Sequence, residues 1–487
     1  MDIRGTIWKL RKTYKRNGDF IMETIIKIIG FFCNLLWGDL ATFRLPGGGT
    51  LGLPLLVILL IPTGIYFTIR TRFLPIRMFP EMIRVTLEKN GSNGDAISGV
   101  QSLIVSTATR VGMGNLVGVV AAVSAGGAGA VFWMWVTALI GSSTAFIEAT
   151  LAQQNKEADP LYGGYRGGPA YYIHNFIVEK TGGPARRHTW MAVMFAVSGL
   201  ICWCGISQVI GNSVSSAFEN AFAIPPLYTT IVLVAVSAVI VLRKNATVKV
   251  LDIVVPVMAG CYFLITIFII VKNAGQLPSV FVRIFEEAFG IRQVAAGGFG
   301  AVLMNGVKRG LFSNEAGSGS APCSAAAAQT DDPVKIGLLQ AFGVFIDTIV
   351  ICSCTAMIML LVPVEQMQGL EGMNLLQTAM QYHLGRFGVV FVVVVLWLFS
   401  FSTFIGVLFY ARSNVAYLFG DNWGSQTAYK VLALIMLFVG GLAAYTFVWD
   451  LSDVGIGLMT VFNLAVIIPG AGPALQALRE YEEKRRR

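Results

Sequence analysis

Near-continuous apolar runs of about 20 residues recur along the whole chain, too long for strands and long enough to cross a bilayer as helices. They predict eleven spans, at about 51–70, 97–124, 128–153, 190–217, 226–243, 248–272, 288–307, 336–362, 387–411, 427–447 and 452–473. A polar stretch at 154–188 separates the third span from the fourth. A half-amphipathic piece at 363–386 separates the eighth from the ninth. The segment 22–50 is different: its run to Trp37 has too few apolar residues to span and carries Asn34, with Asp39 just beyond. It is read as an amphipathic helix and loop lying flat at the interface. The predicted fold class is an all-α polytopic membrane protein, one membrane domain over 51–475 followed by a basic tail at 476–487.

Composition agrees with the pattern. Of 487 residues, 55% are hydrophobic and 13% charged, against about 25% charged in soluble proteins. The formal charge of +9 implies nucleic acid only if the basic residues share one soluble face. Here they fall in short tracts between apolar runs, so the expected partner is membrane lipid and no nucleic acid.

The same tracts predict orientation. With the C-terminus cytoplasmic, the inner loops and tail, including Lys308, Arg309 and Lys335, hold most of the 36 Lys and Arg, as expected of a multi-pass protein of the cell inner (cytoplasmic) membrane. The basic residues of 1–21 fall on the outer side and break the rule. Met22-Glu23-Thr24-Ile25-Ile26-Lys27 offers a second start, so 1–21 is read as an upstream extension; the alternative is a short basic tail that crosses anyway. No secretory cleavage signature occurs there. The seven cysteines lie mostly within apolar runs, as buried free thiols rather than a disulfide framework or metal ligands.

Two spans are poor helix material. The second contains Ser106-Thr107-Ala108-Thr109-Arg110-Val111-Gly112-Met113-Gly114-Asn115, and unpaired backbone at membrane depth is tolerated only where it lines a polar cavity. An interrupted helix offers N–H groups to an anion and carbonyls to a cation. The seventh carries Ala295-Ala296-Gly297-Gly298-Phe299-Gly300-Ala301. Each break opens a set of five spans, so the chain reads as a 5+5 inverted repeat, 97–272 and 288–473, with one extra N-terminal helix. Paired broken helices are the best sequence pointer to a transporter's binding site.

Other polar residues add to the candidate site. Ser400, Ser402 and Thr403 sit in the otherwise apolar ninth span; hydroxyls beside freed carbonyls make a hard-oxygen site suited to Na⁺, although such side chains also bond back to their own helix. Arg110, Glu148 and Asp347 are in-membrane charges, which are costly and usually functional. They are read as a gate or charge pair, Arg110 with Glu148 or Asp347, with direct proton coupling as the rival use. Gln208 and Asn212 share one face of the fourth span and either reach the cavity or bond to a neighbouring helix. Arg309–Pro322 is read as a cytoplasmic loop entering the eighth span.

With these residues in view, the sequence resembles the alanine or glycine:cation symporter family, the sodium:alanine symporters. The resemblance rests on Arg110–Asn115, Gly129–Gly141 continuing to Phe146–Gln153, Tyr165–Ile173 and Arg309–Pro322, and it covers Met22 to about residue 475. More distantly it is similar to the leucine-transporter-type fold, through Val111-Gly112-Met113-Gly114-Asn115. The resemblance implies that N–H groups around Gly112–Gly114 meet a substrate carboxylate. It implies that carbonyls of Ala108 and Val111, with Ser402 and Thr403, hold one sodium ion, and that Asn115 sits near the substrate end or a second sodium. Phe299 would line the implied pocket, and Thr109, Met113, Gly298, Gly300, Thr403 and Val407 are counted with it as candidate substrate contacts, as are Gln208 and Asn212 if they reach the cavity rather than a neighbouring helix. Val407 stands where relatives often carry an aromatic ring, which leaves room for a side chain larger than methyl; Met113, where a smaller residue is common, offsets it.

The implied function is import of a small neutral amino acid (alanine, glycine or serine-like) driven by a sodium gradient, with no organic cofactor. A proton-coupled amino-acid or amine carrier of the same fold is the alternative. No phosphate loop and no His-Glu-x-x-His occurs in the chain, and its three histidines fall in loops or at helix ends, so neither ATP drive nor an enzyme is expected.

Overall fold

The computed structural model describes residues 23–24, 26–44, 50–88, 112–182, 188–243, 251–291, 298–330 and 332–486. Helix α1 (Ile26–Trp37) leads into a hairpin of β1 (Asp39–Arg44) and β2 (Thr50–Pro54), paired antiparallel with a bulge near Asp39. This hairpin, and a two-residue-per-strand one at Glu157–Ala158 and Tyr165–Arg166, are the departures from an all-helical chain. The end of α1 is an anchor: Leu36 and Trp37 are buried, and the Trp37 indole N–H donates to the Asp453 carbonyl at 3.0 Å.

The first predicted span begins later than the apolar run suggests, because 51–54 pair in the hairpin; α2 is Leu55–Arg70. The short helices α3 (Leu74–Arg77) and α4 (Phe79–Leu87) follow. The second span is described from Gly112 onward, as α5 (Gly114–Gly126). Then come α6 (Gly129–Gln154), α7 (Pro169–Thr181), α8 (Trp190–Phe222), α9 (Pro226–Val241) and α10 (Leu251–Lys272). The polar stretch after the third span thus holds α7 and the small hairpin. The Glu287 carboxylate accepts from the Ala128 and Gly129 N–H groups at 2.6 and 3.3 Å, satisfying donors that the start of α6 leaves open.

The seventh span departs most from the sequence reading. Instead of one run at 288–307, α11 (Leu277–Ala288) ends there and α12 runs Phe299–Asn314. Arg309–Pro322 is not a cytoplasmic loop: its first residues complete α12, Ser318 and Ser320 are fully buried, and α13 begins at Ala321. The remainder is α14 (Pro333–Leu360), α15 (Val364–Met367), α16 (Met373–Phe419, kinked at Gly385), α17 (Trp423–Leu442), α18 (Tyr445–Gly470) and α19 (Gly472–Arg486).

Among the described residues six helices are long and apolar enough to cross a membrane, or seven counting 257–272 with 274–288, a pair bent by 73°. Helices α8, α17 and α18 approach through glycine, as expected where lipid supplies no hydrophobic drive and close contact must hold helices together. A Cβ on Gly205 would overlap the Ser452 backbone, one on Gly455 that of Cys202, and one on Gly440 that of Gln208. Gly455→Leu is therefore expected to destabilise by about 3 kcal/mol or more, read as a lower thermal midpoint of the purified protein; an unchanged midpoint would refute this packing.

The basic tail packs against the body of the protein. In α19, Ala474, Leu475 and Leu478 are buried. The Tyr481 hydroxyl donates to the fully buried Glu81 carboxylate at 2.6 Å, Arg485 pairs with it at 2.9 Å, and Arg77 pairs with Glu482 at 2.7 Å. Burial, then the Glu81 carboxylate, push the Tyr481 phenol up. Elsewhere, Arg412 stacks on Tyr162 and pairs with Asp159 at 3.7 Å, while Ser413 exchanges hydrogen bonds with the Gly167 backbone.

Candidate functional site

Of the first predicted break, the described residues begin at Gly112. Gly112 N–H donates to the Asn115 side-chain oxygen at 2.9 Å, and Met113 N–H to the Thr403 hydroxyl at 3.0 Å. The chain then runs as a π-helical turn over Gly114–Gly118, a wide turn that frequently marks functional sites. A Cβ on Gly112 would lie 2.5 Å from the Thr403 hydroxyl, so glycine is what lets α16 come this close. A second π-helical stretch, Phe345–Cys352 in α14, faces the first.

Asp347 lies at the meeting point, 2% exposed. Asn115 donates its amide to the Asp347 carboxylate and also to its carbonyl, the latter at 3.1 Å. The other carboxylate oxygen accepts from Ser313 at 2.8 Å and Thr348 at 3.0 Å. Ser313 is in the last turn of α12, and that turn passes close to Gly114. The chain then leaves helical geometry at 315–320, with positive φ at Glu315, Gly317 and Gly319. One carboxylate thus ties the first break to the edge of a second.

That second break is 315–320; of the predicted break at Ala295–Ala301, Ala295, Ala296 and Gly297 lie outside the described residues. Gly298 is the extended residue ahead of α12. Phe299 packs near Trp133 with ring centroids 6.1 Å apart, and Gly300 lies against the hairpin backbone at Gly52. At ~1.5 Å per residue they stand about 20 Å along the helix from Ser313, so the structure does not bring them to the Asp347 cluster. Residues 292–297 lie outside the described residues.

Gln208 and Asn212 are also elsewhere. Asn212 donates to the Ala443 carbonyl at 2.8 Å and Gln208 contacts the Met436 sulfur at 3.3 Å, so they join α8 to α17 and its end, the helix–helix alternative. Met113 is fully buried and Val407 is buried one turn beyond Thr403; Ser402 is half-buried. Ala108, Thr109, Arg110 and Val111 lie outside the described residues. Glu148 is fully buried and accepts a hydrogen bond from Asn463. Among the described residues Glu148 forms no ion pair.

Sequence reasoning missed Ser313, Cys352 and Thr355. Cys352 contacts Ser313 at 3.1 Å, and Thr355 donates to the Asn115 carbonyl at 2.8 Å. The signal for Ser313 was present in its tract, Ser313-Asn314-Glu315-Ala316-Gly317-Ser318-Gly319, which combines glycines with polar side chains as the first break does. One turn before Ser313 in α12, Lys308 and Arg309 converge on Asp453: Lys308 at 2.7 Å and Arg309 bidentate at 3.0 and 3.1 Å. Arg309 also lies 3.8 Å from the Trp449 ring centroid.

The model of the sodium:alanine symporter family matches residues 47–487. A relative from Bacillus subtilis (strain 168), named "Probable sodium/glutamine symporter GlnT", is 39% identical over 470 residues, covering 96% of this chain and 92% of its own. The sodium/alanine symporter AgcS of Methanococcus maripaludis is 33% identical over 440 residues, covering 89% of this chain and 95% of its own. Among solved structures, a manganese transporter from Eremococcus coleocola aligns over 80% of this chain and 82% of its own with TM-score 0.50 at 12% identity, a likeness of fold alone.

Proposed function

Because the chain belongs to the sodium:alanine symporter family, we propose that it imports a small neutral amino acid (alanine, glycine or serine-like) with sodium, by alternating access. It is a multi-pass membrane transporter, not an enzyme. The observation that carries the finer reading is the Asp347 carboxylate, buried where both breaks meet and hydrogen-bonded to each through Asn115 and Ser313.

In this reading the amino acid's carboxylate takes the N–H groups of Gly112 and Met113, displacing the Asn115 oxygen and Thr403 hydroxyl that now accept from them. Thr403, thus released, joins Ser402 and the carbonyls of Ala108 and Val111 around one sodium ion. Asp347, with the Asn115 side chain, faces the positive charge at the other end, whether a second sodium or the substrate ammonium. The gradient supplies the work, about 2.3 kcal/mol per charge per 100 mV. The eleven-span topology, a cytoplasmic C-terminus and the 5+5 repeat belong to the same proposal, with the second break placed at 315–320.

The test is uptake of labelled alanine, glycine, serine and glutamine into proteoliposomes under equal inward gradients of sodium, potassium or protons. Accumulation with sodium alone, lost in Thr403→Ala, is the expected outcome. Accumulation with protons alone would overturn the sodium reading and move the coupling to Glu148 or Asp347.

A further inference from the structure

Glu148 takes no part in the transport site described above, yet it is a carboxylate fully buried in α6 with no ion pair among the described residues. Its partner is Asn463 of α18, which is equally buried. The Asn463 amide nitrogen donates to Glu148 and, at 3.0 Å, to the carbonyl of Gly317. Its oxygen accepts from the Tyr172 hydroxyl of α7. Both ends of the amide are therefore engaged, and its orientation is fixed.

Gly317 is the centre of the second break, at φ +93, where no helical partner holds its carbonyl. Neighbouring contacts are tight on the same face of α6: a Cβ on Gly141 would lie 3.0 Å from that of Ala316, and the Thr144 methyl is within 3.8 Å of the corresponding point on Gly317. A bent segment pressed against α6 keeps one conformation only if its carbonyls are held, because an unsatisfied buried carbonyl favours rearrangement.

We propose that Glu148, acting through Asn463, is the positioning residue that fixes the Gly317 carbonyl and so holds the second break in register with the first. The role needs an acceptor at Glu148 and not its charge. Tyr172 extends the brace to α7, so a movement of that helix reaches the break through two hydrogen bonds, Tyr172 to Asn463 and Asn463 to Gly317. The inference rests on the two breaks forming the transport site, and its test includes a measurement independent of transport.

In proteoliposomes, Glu148→Ala and Asn463→Ala are each expected to raise KM for sodium and for the amino acid about tenfold, the size of one lost charge-assisted hydrogen bond, with Vmax within about twofold. Glu148→Gln keeps an acceptor for the Asn463 amide and is expected to restore KM to within about threefold of wild type. The double variant is expected to be no worse than either single one, since both remove the same link. Amide hydrogen exchange at 315–320 in the purified protein reads the brace directly: faster in Glu148→Ala and Asn463→Ala, close to wild type in Glu148→Gln.

Unchanged exchange in both alanine variants, or Glu148→Gln as damaging as Glu148→Ala, would overturn the brace. Should Glu148→Ala fail to fold, Asn463→Ala and Glu148→Gln carry the same comparison. Wild-type protein that shows no sodium-driven uptake would count against the transport reading alone, because the exchange measurement would still decide the brace.

Discussion

Asp347→Ala is expected to cut sodium-driven uptake at least about a hundredfold while the protein still reaches the membrane. Asn115, Ser313 and Thr348 all donate to this carboxylate, so its removal strands donors in a buried site, at about 1–3 kcal/mol for each one left unpaired. The two breaks lose their common tie at the same time. Asp347→Asn keeps an acceptor oxygen without the charge, and the comparison separates two roles. If asparagine restores uptake, hydrogen bonding alone is what the site needs. If it is as inactive as alanine, the negative charge is needed, as expected for a group facing sodium or an ammonium. Uptake within about threefold of wild type in the alanine variant would show that the transport site lies elsewhere.

The second large effect is on stability. Asp453→Ala is expected to cost about 3–5 kcal/mol, because it leaves Lys308 and Arg309 buried without the carboxylate that both of them bind. The cluster joins α12 to α18 and, through Trp37, to α1. Its loss should appear as a large fall in thermal midpoint and in the yield of folded protein. Replacing all three together, with Lys308→Met, Arg309→Met and Asp453→Leu, should recover most of that loss, since no uncompensated charge remains. A triple variant as unstable as Asp453→Ala would show that the cluster contributes by its hydrogen-bond geometry and not by charge compensation.

Where the chemistry of a segment is local, the sequence already determined it. Apolar runs of membrane length gave the helices, since a backbone in lipid must satisfy its own hydrogen bonds. The irregular turn that follows Gly112 was legible because Gly112, Gly114 and Asn115 weaken a helix wherever they stand. So was the interest of Asp347, because a charge within a span needs a reason. Ser402 and Thr403 were visible as hydroxyls in an apolar helix, and Thr403 does reach the first break.

What tertiary structure decided were the features whose energetic reason lies far along the chain. Lys308 and Arg309 looked like an inner-loop signal because, read locally, two adjacent cations cannot be buried; Asp453, 144 positions on, makes their burial tolerable. Once they belong to α12, the chain leaves helical geometry at 315–320, within the tract whose polar side chains had suggested a loop. Glu81 is buried because Tyr481 and Arg485 come from the other end of the chain to meet it. Glu148 likewise depends on Asn463, 315 positions away. Local propensity can say that a segment is unfit to be a regular helix. Only the packed fold says which partner makes the irregular one stable, because burying a polar or charged group is cheap only when its partner is already in place.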